Sequence, residues 1–105
     1  MILKTLVLPL KKEWYEMIES GVKTEEYREC KPYWNKRLMR KVWNFADNSL
    51  CDIPKKFDAV KFTYGYTKRT ITFECKGITI GRGNAEWGAP TDEDVFIIKL
   101  GKRIE

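Results

Sequence analysis

"FDAVKFTYGYTKRTITFECKGITI", residues 57–80, alternates with a period of two over most of its length. Val60, Phe62 and Tyr64 alternate with Ala59, Lys61 and Thr63, and then Ile71, Phe73 and Cys75 alternate with Thr72, Glu74 and Lys76. In a strand, successive side chains point to opposite faces, so this alternation marks two half-buried strands joined as a hairpin through "YGYTKRT". "ITI" at 78–80 continues the second strand past Gly77, where a bulge or bend is expected. "VFIIKLG", residues 95–101, supplies a final strand. The segment between, "GRGNAEWGAPTDED", is long for a plain connection and is either functional or mobile.

Upstream of residue 57 the pattern changes. Ile2, Leu3, Leu6, Val7 and Leu8 with Thr5 suit a largely buried strand over 2–8, ended by Pro9. Leu10, Trp14, Met17 and Ile18 recur at helical spacing opposite Lys11, Lys12, Glu13, Glu16 and Glu19, and Gly21 is the natural left-handed stop. Residues 23–30 carry no helical stripe and read as extended, with Glu26 and Arg28 on one face and Tyr27 and Glu29 on the other. Pro32 opens a second helix with Trp34, Leu38 and Val42 as its buried stripe and Lys36, Arg37 and Arg40 on the solvated side. "ADNSLCDIPKK", residues 46–56, reads as a loop. Two early helices and five or six strands predict one small α+β domain whose sheet curls toward a barrel.

Composition narrows the function classes. At 105 residues the chain supports one modest core, and 43% hydrophobic with 33% charged residues describes a globular chain. Twenty Lys and Arg face fifteen Asp and Glu, and the excess lies mid-chain, nine basic against three acidic between residues 36 and 70. Such a balance is compatible with phosphate neutralisation, although many small basic proteins bind no nucleic acid. Cys30, Cys51 and Cys75 are odd in number, far apart and accompanied by no His, so neither a disulfide framework nor a usual zinc spacing is present. A reducing, cytoplasmic setting without a metal or other cofactor is expected. The apolar start, "MILKTLVLPLKK", is too short for a membrane span and lacks the marks of a signal peptide.

The charge-rich stretch "GVKTEEYRE", residues 21–29, can be written G-x-K-x-x-E-x-R, from Gly21, Lys23, Glu26 and Arg28. Set after an amphipathic helix that follows a first strand, it resembles the signature of the ASCH domain, the activating signal cointegrator homology family. "YGYTKRT" and "WGAP", Trp87 to Pro90, are also similar to small bacterial and phage members, so the resemblance spans nearly the whole chain. It implies a PUA-like β-barrel with two flanking helices and an RNA or nucleotide ligand, a modified nucleoside included, in a cleft beside the motif.

The residue chemistry fits a recognition site. Lys23 and Arg28 can neutralise or fork onto phosphate, while Glu26 can hold Arg28 or accept from a base amino group. All three converge only if Lys23 lies in the turn after Gly21, which is the expectation. The plainer alternative is that Glu26 and Arg28 form an ordinary salt bridge with neighbouring charges on a solvated edge strand. Tyr64, Tyr66 and Arg69, with Lys68, make an aromatic and basic hairpin suited to stacking and phosphate contact, or to simple edge packing. Trp87 is either a stacking platform, with Glu86 beside it, or a plug for the end of the barrel. As a ligand set the sequence therefore offers Lys23, Glu26, Arg28, Tyr64, Tyr66, Arg69 and Trp87.

Catalysis on the same fold is the alternative. Some ASCH-like proteins are implied to be N4-acetylcytidine amidohydrolases that use a Lys, a Thr three residues later and a Glu; others are described as ribonucleases. Here Glu26 stands three residues after Lys23 and the nearby Thr is Thr24, which departs from the amidase pattern. With no His, acid–base work would fall to a carboxylate or a Lys.

Overall fold

The computed structural model describes residues 3–105, so Ile2 of the expected first strand lies outside the described residues. Among the described residues the chain forms β1 (Thr5–Leu10), α1 (Lys12–Glu19), β2 (Glu25–Glu29), α2 (Pro32–Leu38), β3 (Met39–Asn44), β4 (Ser49–Pro54), β5 (Ala59–Tyr64), β6 (Thr70–Gly81) and β7 (Val95–Arg103), with a 3₁₀ turn at Ala85–Trp87. Five strands make one curled α+β half-barrel in the order β1-β5-β6-β7-β2, and β3 pairs with β4 in a separate two-stranded sheet. β1 runs parallel to β5, whereas the other ladders are antiparallel.

The period-two stretch folds as its pattern requires. Val60, Phe62, Ile71 and Phe73 enter the main core with Leu6, Leu8, Leu10, Ile18, Leu38, Phe96 and Ile98. The twelve-residue β6 bends where the register slips, between Phe73 and Gly77, and Gly77 there takes φ 141°, which L side chains rarely adopt. The bend lets one long strand serve both β5 and β7, and it curls the sheet.

Three expectations need correction. β1 runs through Pro9 to Leu10, because β1 is an edge strand whose outer side needs no ladder donor. Leu10 therefore belongs to β1, and the buried face of α1 is Tyr15 with Ile18, while Trp14 and Met17 are only half-buried. The second helix stops at Leu38: Met39 is already extended, and Arg40 and Val42 sit on β3. The segment read as a loop is half strand, since β4 pairs with β3 around a turn at residues 45–48 in which Asn48 takes φ 52°.

The two ends of the main sheet are β1 and β2, and the half-barrel leaves a seam between them. A side chain spans it: Arg28 of β2 donates through Nη2 to the Pro9 carbonyl of β1 at 3.0 Å. Arg37 of α2 reaches the Val7 carbonyl of the same edge at 3.4 Å. The unpaired carbonyls of an edge strand are thus met by guanidinium groups. Among the described residues, no helix is long and apolar enough to cross a membrane.

Candidate functional site

The seam opens into a cleft of about 810 Å³. β1 contributes Pro9 and Leu10, β2 contributes Glu26 and Arg28, and Trp14, Trp34 and Trp87 stand around them. Three of the chain's four tryptophans line this one cavity.

Lys23 lies between the Gly21 turn and β2, where Gly21 takes φ 87°. The turn swings Lys23 onto the face that Glu26 and Arg28 share, as the sequence led one to expect. Lys23 is 2% exposed and Glu26 is 4% exposed, and the Arg28 side chain paired with Glu26 is itself mostly buried, so the plain reading of a solvated Glu26–Arg28 bridge fails. Lys23 Nζ donates to Glu26 Oε1 at 2.8 Å and to the Trp87 carbonyl at 2.6 Å, and lies 4.6 Å from the Trp14 ring centroid. A buried ammonium needs such partners, because leaving water without them is costly. The contacts also tie the start of β2 to the loop after β6.

Glu26 faces two cations. Its Oε2 accepts from Arg28 Nη1, which also donates to the Tyr27 carbonyl at 2.8 Å. With one Nη2 proton on Pro9, three of the five guanidinium donors are used. Nε and the second Nη2 proton have no acceptor among the described residues. Trp34 carries Arg28 over its ring at 5.2 Å and Arg37 at 5.5 Å. The trio holds two cations against one carboxylate, leaving the cleft floor with excess positive charge.

Tyr27, on the other face of β2, anchors the glycine-rich loop. Its hydroxyl donates to Glu25 Oε1 at 2.8 Å and accepts from the Asn84 N–H at 3.0 Å. With Ala89, Val95, Ile97 and the half-buried Trp87 it forms a second, smaller core. Gly83 lies so close to it that an added Cβ would stand 2.6 Å from the Tyr27 ring and 2.6 Å from Ala89. Gly83→Ala is therefore expected to cost about 1–3 kcal/mol by overpacking and to pull Trp87 away from Lys23; thermal melting and Trp fluorescence read both effects.

Burial pushes the Tyr27 phenol up to about 12, with the carboxylates of Glu25 and Glu26 adding to the shift. The fold thus favours the neutral phenol. The stability owed to that preference is complete below pH 10 and is lost as pH rises toward 12. Tyr27→Phe is expected to be less stable at neutral pH by about 1–3 kcal/mol, because the Asn84 N–H loses its acceptor. Its stability should then fall less steeply than the wild type's between pH 10 and 12, as urea denaturation at the two pH values measures.

The remaining expected ligands lie elsewhere. Tyr64 packs edge-on against Tyr15 at 5.1 Å and belongs to the margin of the main core. Arg69 pairs with Glu19 at 2.9 Å and stacks over Tyr64 at 4.9 Å. Tyr66, at 98% exposure, sits at the tip of the β5–β6 turn. None of the three lines the cleft. Tyr64 and Arg69 clasp α1 through Tyr15 and Glu19, which the sequence alone did not separate from a binding role, while Tyr66 stands free of it. Trp87 does line the cleft, while Glu86 is exposed and outside it.

By spacing alone Trp14 and Trp34 fall in helical core stripes, and nothing in the sequence singles them out as cleft residues. Both are half-buried, with faces toward the cleft, and tryptophan is rarely fully buried in any case. Compared with protein-family models, curated proteins and solved structures, the chain matches none.

Proposed function

We propose that the chain is an RNA- or nucleotide-binding module of the ASCH, PUA-like type, working in the cytoplasm and holding its ligand in the seam cleft beside Lys23, Glu26 and Arg28. One observation carries this reading: indole rings surround a cationic floor that still offers free guanidinium donors. Flat aromatic faces stack bases of any sequence, and guanidinium N–H groups meet phosphate or base carbonyl oxygens. Glu26 fixes the trio and keeps lone pairs for a base amino group. Three unpaired cysteines suit a reducing compartment.

The hydrolase alternative gains less support from the geometry. Lys23 Nζ is committed to Glu26, the Trp87 carbonyl and the Trp14 ring, which leaves no free amine to activate a nucleophile. Thr24 is exposed, and Glu74 is exposed on β6 outside the cleft.

A titration with short single-stranded RNA, single-stranded DNA and nucleosides including N4-acetylcytidine, at two salt concentrations, tests the reading. Saturable binding that weakens with salt for the phosphate-bearing ligands, with every ligand recovered intact, is the expected result. Deacetylated or cleaved product would replace the module with an enzyme. Silence across the panel would remove the reading altogether.

A further inference from the structure

Resting on the cleft reading for its ligand chemistry, we propose that the β3–β4 hairpin and the outer face of α2 form a second contact for single-stranded nucleic acid. The chain then takes a polynucleotide that runs out of the cleft, in preference to a free nucleoside.

The hairpin is an arm. Its two strands pair with each other and otherwise touch mainly α2 and β6. The radius of gyration is 14.6 Å, against about 13 Å for a compact chain of this length. A two-stranded sheet without a core of its own is marginal in water, yet this one turns three large apolar side chains outward while Met39, Val42 and Ile53 are half-buried. Phe45 is 87% exposed, Leu50 61% and Trp43 45%. Register places Trp43 opposite Leu50, and the Trp43 and Phe45 rings are 6.5 Å apart. An exposed apolar cluster on a projecting element marks an interaction site.

Charge selects the occupant. Between residues 31 and 56 there are seven basic side chains and two acidic ones. Lys31 is paired with Glu29 and Lys41 with Asp52. Lys36, Arg37, Arg40, Lys55 and Lys56 have no carboxylate within ion-pair reach among the described residues. A second copy of the chain would bring this basic surface against itself, whereas a phosphate backbone neutralises it. Continuity points the same way. The helix that sets Trp34 into the cleft presents the exposed Tyr33 beside it, with the two rings 4.8 Å apart, and passes without a loop into β3. Aromatic faces interleaved with unpaired cations are the chemistry that single strands need for stacking and phosphate contact.

The test compares uridine 5′-monophosphate with RNA and DNA single strands of about twelve nucleotides, within the span that one small β-fold covers. The probes are titrated into the full chain and into the double variant Trp43→Ser/Phe45→Ser, whose exposed positions leave the core untouched. The wild type is expected to bind the longer strands at least about tenfold more tightly than the mononucleotide, and the double variant to lose about that factor while binding the mononucleotide as before. Lys36→Glu/Arg40→Glu is expected to flatten the dependence of log affinity on log salt by about two. The proposal is overturned if length adds nothing, or if the double variant binds the longer strands as the wild type does. The second result would also decide for another occupant if the same variant dissolved a dimer or abolished binding to phosphatidylserine vesicles. Should the mononucleotide fail to bind while the longer strands still depend on Trp43 and Phe45, the cleft reading falls and the arm contact stands.

Discussion

Glu26→Ala is expected to lower the unfolding free energy by about 3–5 kcal/mol, the usual cost of breaking a buried ion pair from one side. Lys23 and Glu26 are almost wholly removed from water, and this carboxylate is the charge that faces both the Lys23 ammonium and the Arg28 guanidinium. Without it two cations are left side by side and Lys23 keeps only the Trp87 carbonyl and the neighbouring rings. For a domain of this size the melting temperature should fall by roughly 10 °C or more. The control lies three residues along the same strand. Glu29 pairs with Lys31 at 2.6 Å, but both side chains are more than half exposed, and Glu29→Ala should leave the melting temperature within experimental error. Equal melting temperatures for Glu26→Ala and wild type would show that the trio is not the buried network described.

The second large effect is on binding. Arg28→Lys keeps the charge but loses the planar fork that serves Glu26, the Tyr27 carbonyl and the Pro9 carbonyl together. Its folding loss should be smaller than that of Glu26→Ala, since an ammonium still faces the carboxylate. Nucleotide affinity should nonetheless fall roughly 10–100-fold, as expected for charge-assisted hydrogen bonds that a lysine cannot direct. Calorimetric titration of the variant reads this; unchanged affinity would mean that the guanidinium only closes the seam. Burial also revises what Lys23→Ala should do. A lysine that only contacted ligand would weaken binding and leave the fold intact, whereas one 2% exposed and tied to two elements must cost stability as well.

Much of the fold is legible because its strands are half-buried. β5 and β6 carry a period-two signal that a helix does not satisfy, and β7 a short continuous run whose Val, Phe and Ile content and length favour a buried strand. β3 and β4 were missed for a physical reason. Trp34, Leu38 and Val42 stand four apart, a spacing that a helix and the join of a short helix to a strand satisfy equally. The arm also has only a half-buried inner face, Val42, Cys51 and Ile53, with Trp43 and Leu50 both outward, so its apolar residues fall on both faces and hide the alternation. At the site, the charged trio is readable from Gly21 onward because a glycine turn sets the phase of β2. The aromatic walls are not, since Trp14 and Trp34 occupy helical stripe positions that look like core. Tyr64 and Arg69 misled in the opposite direction. Their chemistry suits a nucleic acid, but Tyr15 and Glu19 on α1 already use it.

The central claim is that the seam cleft is where the ligand sits, and the four indole N–H resonances report on it directly. On adding a mononucleotide, the resonances of Trp14, Trp34 and Trp87 are expected to shift together along one saturation curve while that of Trp43, on the arm, stays in place. Shifts confined to Trp43, or no shift in any of the four, would contradict the account.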